Sequence, residues 1–173
     1  MFRKGEFVIY GNSGVCEVVD IGTMDMSGAA RGKQYYTLLP VYSNGSRIYT
    51  PVDNEKIAMR HVLSKEEALA FVERIPEIEP LWVSDEKKRE EIYSQRMKTC
   101  NHIEWTKIIK TLYLRRQSRM EGGKKLASVD ERYLKMAEDS LYGELAVALD
   151  IEKDEVEKFI ASHIEEKEEV LAL

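Results

Sequence analysis

Ser43-Asn44-Gly45-Ser46-Arg47-Ile48-Tyr49-Thr50-Pro51-Val52 reads as a turn followed by a strand. Asn-Gly suits the positive φ angles of a tight hairpin turn. Ile48, Tyr49, Thr50 and Val52 suit a pleated, half-buried surface. Pro51 cannot donate to a ladder, so this strand belongs at a strand end or a sheet edge. Towards the N-terminus, Gln34–Tyr42 reads as the strand before the turn, and Met24–Lys33 as a loop with Gly28 and Gly32. Val15–Ile21 is rich in β-branched residues, and Phe7-Val8-Ile9-Tyr10 is a short apolar run stopped by Gly11-Asn12-Ser13-Gly14. Four or five short strands with tight turns within residues 1–60 predict a small barrel of the SH3 or Tudor kind.

Towards the C-terminus the period becomes helical. Ser64-Lys65-Glu66-Glu67 is a capping box, in which the Ser hydroxyl and the Glu carboxylate satisfy each other's backbone donors. Leu69, Val72 and Ile75 then fall on one side. Pro76 and Pro80 bracket a break that leads to Leu81-Trp82, and a second helix is expected over Asp85–Lys98. Asn101 is the expected N-cap of a third helix, with Trp105, Ile108, Ile109 and Leu112 on one stripe and Gly122-Gly123 at its end. Ser128-Val129-Asp130-Glu131 reads as a second capping box. The fourth helix places Leu134, Ala137, Leu141, Leu145 and Ala148 on one face. The last starts near Asp154 with Val156, Phe159, Ile160 and Ile164, and Glu165–Glu169 is its expected frayed end. The expected fold class is α+β: an N-terminal small SH3/Tudor-like β-barrel, residues 1–62, followed by an all-α bundle of about five helices, residues 63–173. A barrel of this size is marginal alone, so it is expected to pack on the helices.

The 173 residues are 43% hydrophobic and 33% charged, with a net charge of −5. That is enough apolar material for a packed core. No apolar run reaches the ~18 residues of a membrane span, and no apolar stretch follows the charged N-terminus, so neither a membrane anchor nor a secretory signal is expected. Cys16 and Cys100 are far apart, which speaks against a disulfide scaffold and for a reducing, cytoplasmic compartment. His61, His102 and His163 have no ligand partner at i+3 or i+4. Phosphate-loop, nucleophile-elbow and zincin motifs are lacking. An enzyme, a cofactor, a metal site and a small-molecule substrate are therefore not expected.

Charge is distributed in blocks. Residues 1–86 carry a balance of −4, residues 87–135 of +8, and residues 136–173 of −9. The basic block would be felt first by a polyanion, because Lys and Arg beside phosphates release condensed counterions. Its clustered cations are Lys87, Lys88 and Arg89, then Lys107, Lys110, Arg115, Arg116, Arg119, Lys124 and Lys125. Part of the second group is explained by the helix macrodipole, which favours cations at a C-terminus. Trp105 lies on a core stripe. Trp82, ahead of a helix start, either packs as a hydrophobic staple or stacks on a nucleobase.

Several motifs in order resemble the CarD/CdnL family of bacterial transcription regulators. They are Phe2-Arg3-Lys4-Gly5-Glu6-Phe7-Val8-Ile9-Tyr10-Gly11 with Gly14-Val15, then Tyr35-Tyr36, and Tyr49-Thr50-Pro51-Val52 with Asn54. Trp82 after the proline-rich link, Leu112-Tyr113-Leu114-Arg115-Arg116 and Leu141-Tyr142-Gly143-Glu144-Leu145-Ala146 complete the pattern. The resemblance implies a barrel that binds the RNA polymerase β subunit, with Met24, Arg47, Tyr49 and Pro51 as its docking residues. It also implies that the helical domain contacts promoter DNA at the upstream edge of the −10 element. There Trp82 would wedge into the minor groove and stabilise the open complex, in a bacterial, nucleoid-associated setting. Val83 follows Trp82 where the family's pattern has a basic residue. The alternative is a protein–protein adaptor without direct DNA contact, its basic block paired with the acidic tail or an acidic partner.

Overall fold

A computed structural model describes residues 1–171, with side chains to residue 166. Five antiparallel strands, β1 (Phe7–Tyr10), β2 (Val15–Thr23), β3 (Gln34–Pro40), β4 (Ile48–Pro51) and β5 (Met59–His61), form one sheet in the order β4-β3-β2-β1-β5. The Tudor-like sheet is bent by a register shift between Val18 and Asp20 in β2, as a bulge bends and twists a strand. Gly14, at φ 69°, opens β2 in a conformation that favours glycine.

The turn at Ser43–Ser46 is a correction. The chain leaves the sheet at Pro40 and re-enters at Ile48, and Gly45 is not in the positive-φ region. The connection is a loop of residues 41–47, drawn outward by a contact of its own: Tyr42 donates to the Gly143 carbonyl (3.2 Å).

Five helices follow: α1 (Lys65–Arg74), α2 (Arg89–Lys98), α3 (His102–Glu121), α4 (Ser128–Leu149) and α5 (Val156–Leu171). The Ser64–Glu67 capping box is present in both directions, and Asn101 caps α3 by accepting from Ile103 N–H. The face that α1 buries is Ala68, Phe71 and Val72, while Leu69 and Ile75 are half-buried. A single 3-10 turn, Glu86–Lys88, precedes α2, so that helix starts later than its sequence suggests. The second capping box is a further correction. Ala127 is the N-cap of α4, with no side-chain cap, so Ser128 is the first helical residue rather than the cap; Asp130 is turned inward to two arginines. The acidic run from Glu165 lies within α5, which continues to Leu171.

Burial divides the strands by alternation. Val8, Tyr10, Cys16, Val18, Tyr36 and Leu38 fill the sheet's own core. Ile9 and Val15 point the other way and join the helical core of Trp105, Ile108, Leu112, Leu141 and Leu145. Two faces of one strand thus serve two cores, which makes barrel and bundle one packed body.

A polar knot reinforces this junction. Arg60 on β5 bonds the Glu144 carboxylate on α4 through both terminal nitrogens (2.6 and 2.8 Å). Its Nε donates to the Cys100 carbonyl (2.6 Å), and its guanidinium lies 5.6 Å from the Trp105 ring centroid. Leu63 N–H donates to the same carboxylate (3.0 Å). Glu144 is wholly buried, and a buried carboxylate persists only when its charge is paired and hydrogen-bonded.

Candidate nucleic-acid interface

Trp82 is 88% exposed, the largest exposure of any aromatic side chain among the described residues. Its ring makes no aromatic or cation–π contact there. A staple that packs across the N-cap would be covered, so the stapling alternative does not describe this residue. Trp105, by contrast, is fully buried in the core.

The segment that carries Trp82 has no regular structure of its own, and α3 holds it. Lys110 donates to the carbonyls of Ile75 and Ile78 (2.7 Å to Ile78). Thr111 Oγ1 accepts from Leu81 N–H (2.8 Å). Burial pushes the Lys110 ammonium below its ordinary pKa, against the pull of Glu79. Downstream, Asp85 accepts from Lys87 N–H (3.0 Å) and caps the 3-10 turn.

The arginines of the basic block divide. Arg89 Nε and Arg115 Nε bond the two oxygens of Asp130 (3.0 and 2.9 Å). Arg115 also bonds Glu86, and Arg89 the Glu86 carbonyl. Asp130 is wholly buried, in the first turn of α4, where the helix dipole favours an anion. Both guanidinium groups are thus committed to holding the start of α2, the middle of α3 and the start of α4 together. Arg119 Nε donates to the Lys125 carbonyl (2.7 Å), which fixes the turn after α3. Arg116 lies over the Tyr113 ring at 5.4 Å.

Lys87, Lys88, Lys124 and Lys125 are exposed and make no ion pair among the described residues. Lys87 and Lys88 lie in the turn just before Arg89, and Lys124 and Lys125 in the link between α3 and α4. The structure therefore leaves the indole exposed and these four ammonium groups unpaired among the described residues, while Arg89, Arg115 and Arg119 are engaged inside the fold. Lys107 and Arg132 are spent on Glu104 and Glu90.

On the barrel, Arg47, Tyr49 and Pro51 lie at or beside edge strand β4, and Tyr49 is 44% exposed. Val52 N–H bonds the Gln34 carbonyl, and Thr50 pairs with Tyr36. By alternation the backbone N–H and carbonyl of Tyr49 face away from the sheet. Met24 is separate: it follows β2, two strands from the edge, beyond the end where Gly22, Tyr35 and Pro51 align.

Sequence reading missed the roles of Asp130, Glu144 and Thr111, and it counted Lys110 among the basic surface although its ammonium is turned to two carbonyls. The first two carried a signal, since both acids fall on the helical stripe of Leu134, Ala137, Leu141 and Leu145. An acid on an apolar face needs a buried cation. Thr111 carried none, because its partner is a backbone N–H thirty residues earlier.

No group of three or more His, Cys, Asp or Glu side chains is placed to hold a metal among the described residues. None of the described helices is long and apolar enough to cross a membrane. The CarD-like/TRCF RID domain model matches residues 2–63, and the CarD C-terminal domain model matches residues 80–161. Comparison with curated proteins gives no match.

Proposed function

Because the chain belongs to the CarD/CdnL family of RNA-polymerase-interacting transcription regulators, we propose that it stabilises the promoter open complex by two contacts made from one packed body. Residues 1–62 dock on the polymerase β subunit through the β4 edge. Residues 63–173 set Trp82 in the minor groove at the upstream edge of the −10 element, with Lys87, Lys88, Lys124 and Lys125 on nearby phosphates. Arg116 adds to this field, and Arg89, Arg115 and Arg119 hold the surface in shape. The observation that carries the reading is the 88% exposure of an unpartnered indole on a held segment.

An exposed sheet edge offers unpaired main-chain groups to an incoming strand, and side chains on either side give selectivity. Tyr49 supplies both groups, and Arg47 supplies charge. Met24, away from this edge, belongs to the docking surface only if the β subunit also wraps the end of the sheet.

The energetics need no chemical step. Stacking of one aromatic on a base is worth about 1–3 kcal/mol. Unstacking a base step costs a few kcal/mol. A wedge that grips only melted DNA therefore shifts the closed-to-open equilibrium by its differential affinity. Each ~1.4 kcal/mol is a factor of ten. Docking on polymerase supplies the effective concentration that a weak DNA contact lacks. This explains how a chain of net charge −5 works on a polyanion.

Commitment of Arg89 and Arg115 inside the fold favours a second reading, an adaptor without DNA contact, because it reduces the free positive charge. Footprints of polymerase on a promoter, with and without the chain, separate the two. Added protection just upstream of the −10 element is expected. An unchanged footprint, with polymerase binding retained, would favour the adaptor.

A further inference from the structure

We propose that Thr111 is a positioning residue for Trp82: its hydroxyl holds Leu81 N–H, and with it the direction in which the indole leaves the protein. This rests on the reading of Trp82 as the DNA contact. The ring is 88% exposed and makes no aromatic or cation–π contact among the described residues, so its direction is set chiefly by its backbone. That backbone is tied on both sides. Upstream, Lys110 holds the Ile75 and Ile78 carbonyls and Thr111 holds Leu81. Downstream, Asp85 holds Lys87 N–H, and Glu86 is held by Arg115. Among the described residues, no hydrogen bond reaches Trp82, Val83 or Ser84 themselves.

The Thr111 hydroxyl cannot be replaced by a methyl group here. It donates its single proton to the Lys107 carbonyl (2.6 Å), so its lone pair is presented to Leu81 N–H (2.8 Å). The hydroxyl thus has a fixed polarity, donor to the helix and acceptor from the segment. Leu81 also packs partly into the helical core. Together these contacts order the residue before Trp82 ahead of DNA binding. A segment ordered in advance loses less freedom on binding than one that must be ordered on the DNA.

The test uses full-length chain, polymerase holoenzyme and one promoter, with open-complex lifetime as the readout. Thr111→Val should reduce the gain in lifetime about fivefold, the factor that one neutral hydrogen bond carries. Thr111→Ser keeps the hydroxyl and should retain the gain. In a Trp82→Ala background, Thr111→Val should cause no further loss, because its effect passes through the indole. Equal losses from the serine and valine variants, or a loss that persists without Trp82, would overturn the proposal. So would a Thr111→Val variant that matches the parent while Trp82→Ala does not. A second readout is independent of DNA: in free protein labelled with 5-fluorotryptophan, Thr111→Val should shift the fluorine line of Trp82, leave that of Trp105 in place, and speed Leu81 amide exchange. If Trp82→Ala leaves lifetime unchanged, the wedge reading fails by itself. The fluorine and exchange data then decide the positioning claim, and unchanged spectra would overturn it.

Discussion

Arg60 and Glu144 join the two domains through a bidentate pair in which the carboxylate is wholly buried and the guanidinium is still in part exposed. Loss of one partner strands a charge, and breaking a buried pair this way costs about 3–5 kcal/mol. Glu144→Ala is expected to lower stability by less than that, because the guanidinium it strands keeps part of its contact with water. Adding Arg60→Met should recover part of the loss, because the uncompensated cation goes with it. Urea unfolding of the four proteins in the cycle checks this, and strictly additive losses would contradict it.

A pH effect follows from His102, whose ring packs edge-on to Phe71 at 4.6 Å between centroids. Burial lowers its pKa from the ordinary 6.5, with Arg60 acting in the same direction and Glu144 and Glu67 against. The folded state therefore takes up its proton at lower pH than the unfolded state does. Stability from this group is complete above about pH 6.5 and falls as pH drops through the lowered value. His102→Gln should flatten the part of the urea-midpoint profile below the ordinary histidine pKa of 6.5 that belongs to this residue. An identical slope in the variant would contradict the assignment.

Docking through β4 predicts a separation of binding from stability. Tyr49 faces away from the sheet on an edge strand and Arg47 is exposed before it. Tyr49→Ala together with Arg47→Glu should weaken binding to the polymerase β subunit about tenfold or more, or ~1.4 kcal/mol. The urea midpoint should hardly move. Binding-curve titration of the β subunit with full-length chain measures it, and retained affinity would remove β4 as the docking edge.

The free lysines predict a salt dependence. Lys87, Lys88, Lys124 and Lys125 are unpaired, so each that meets a phosphate contributes about 0.9 to the slope of log affinity against log salt. Alanine at Lys87 and Lys88 should reduce that slope in promoter binding by the polymerase complex. Alanine at Arg89 should act differently, lowering stability by uncovering Asp130. A slope unchanged by the lysine variants would place the DNA elsewhere.

Much of this was legible in the sequence because local rules and packing agreed. The Trp105–Leu112 stripe and the Ser64 capping box form as their spacing implies. Trp82, between a proline-rich link and a helix start, is exposed rather than packed as a staple. What failed to read out was long-range. Asn44-Gly45 asks for a tight turn, but Tyr42 reaches Gly143 and opens the loop. Ser128-Val129-Asp130-Glu131 asks for a cap at Ser128, but the helix starts from Ala127, and two guanidinium groups claim Asp130. The same pairing turned Arg89 and Arg115 from a free basic surface into its scaffold. At the turn and at the two arginines, a partner distant in the chain outweighed what the local sequence implied.

The most direct measurement of the central claim is the lifetime of the open complex formed with the Trp82→Ala chain. A loss of about 1–3 kcal/mol of stacking or wedging should shorten the gain in lifetime roughly tenfold, with retention on the polymerase β subunit unchanged. A lifetime equal to that given by the parent chain, at equal polymerase occupancy, would contradict it.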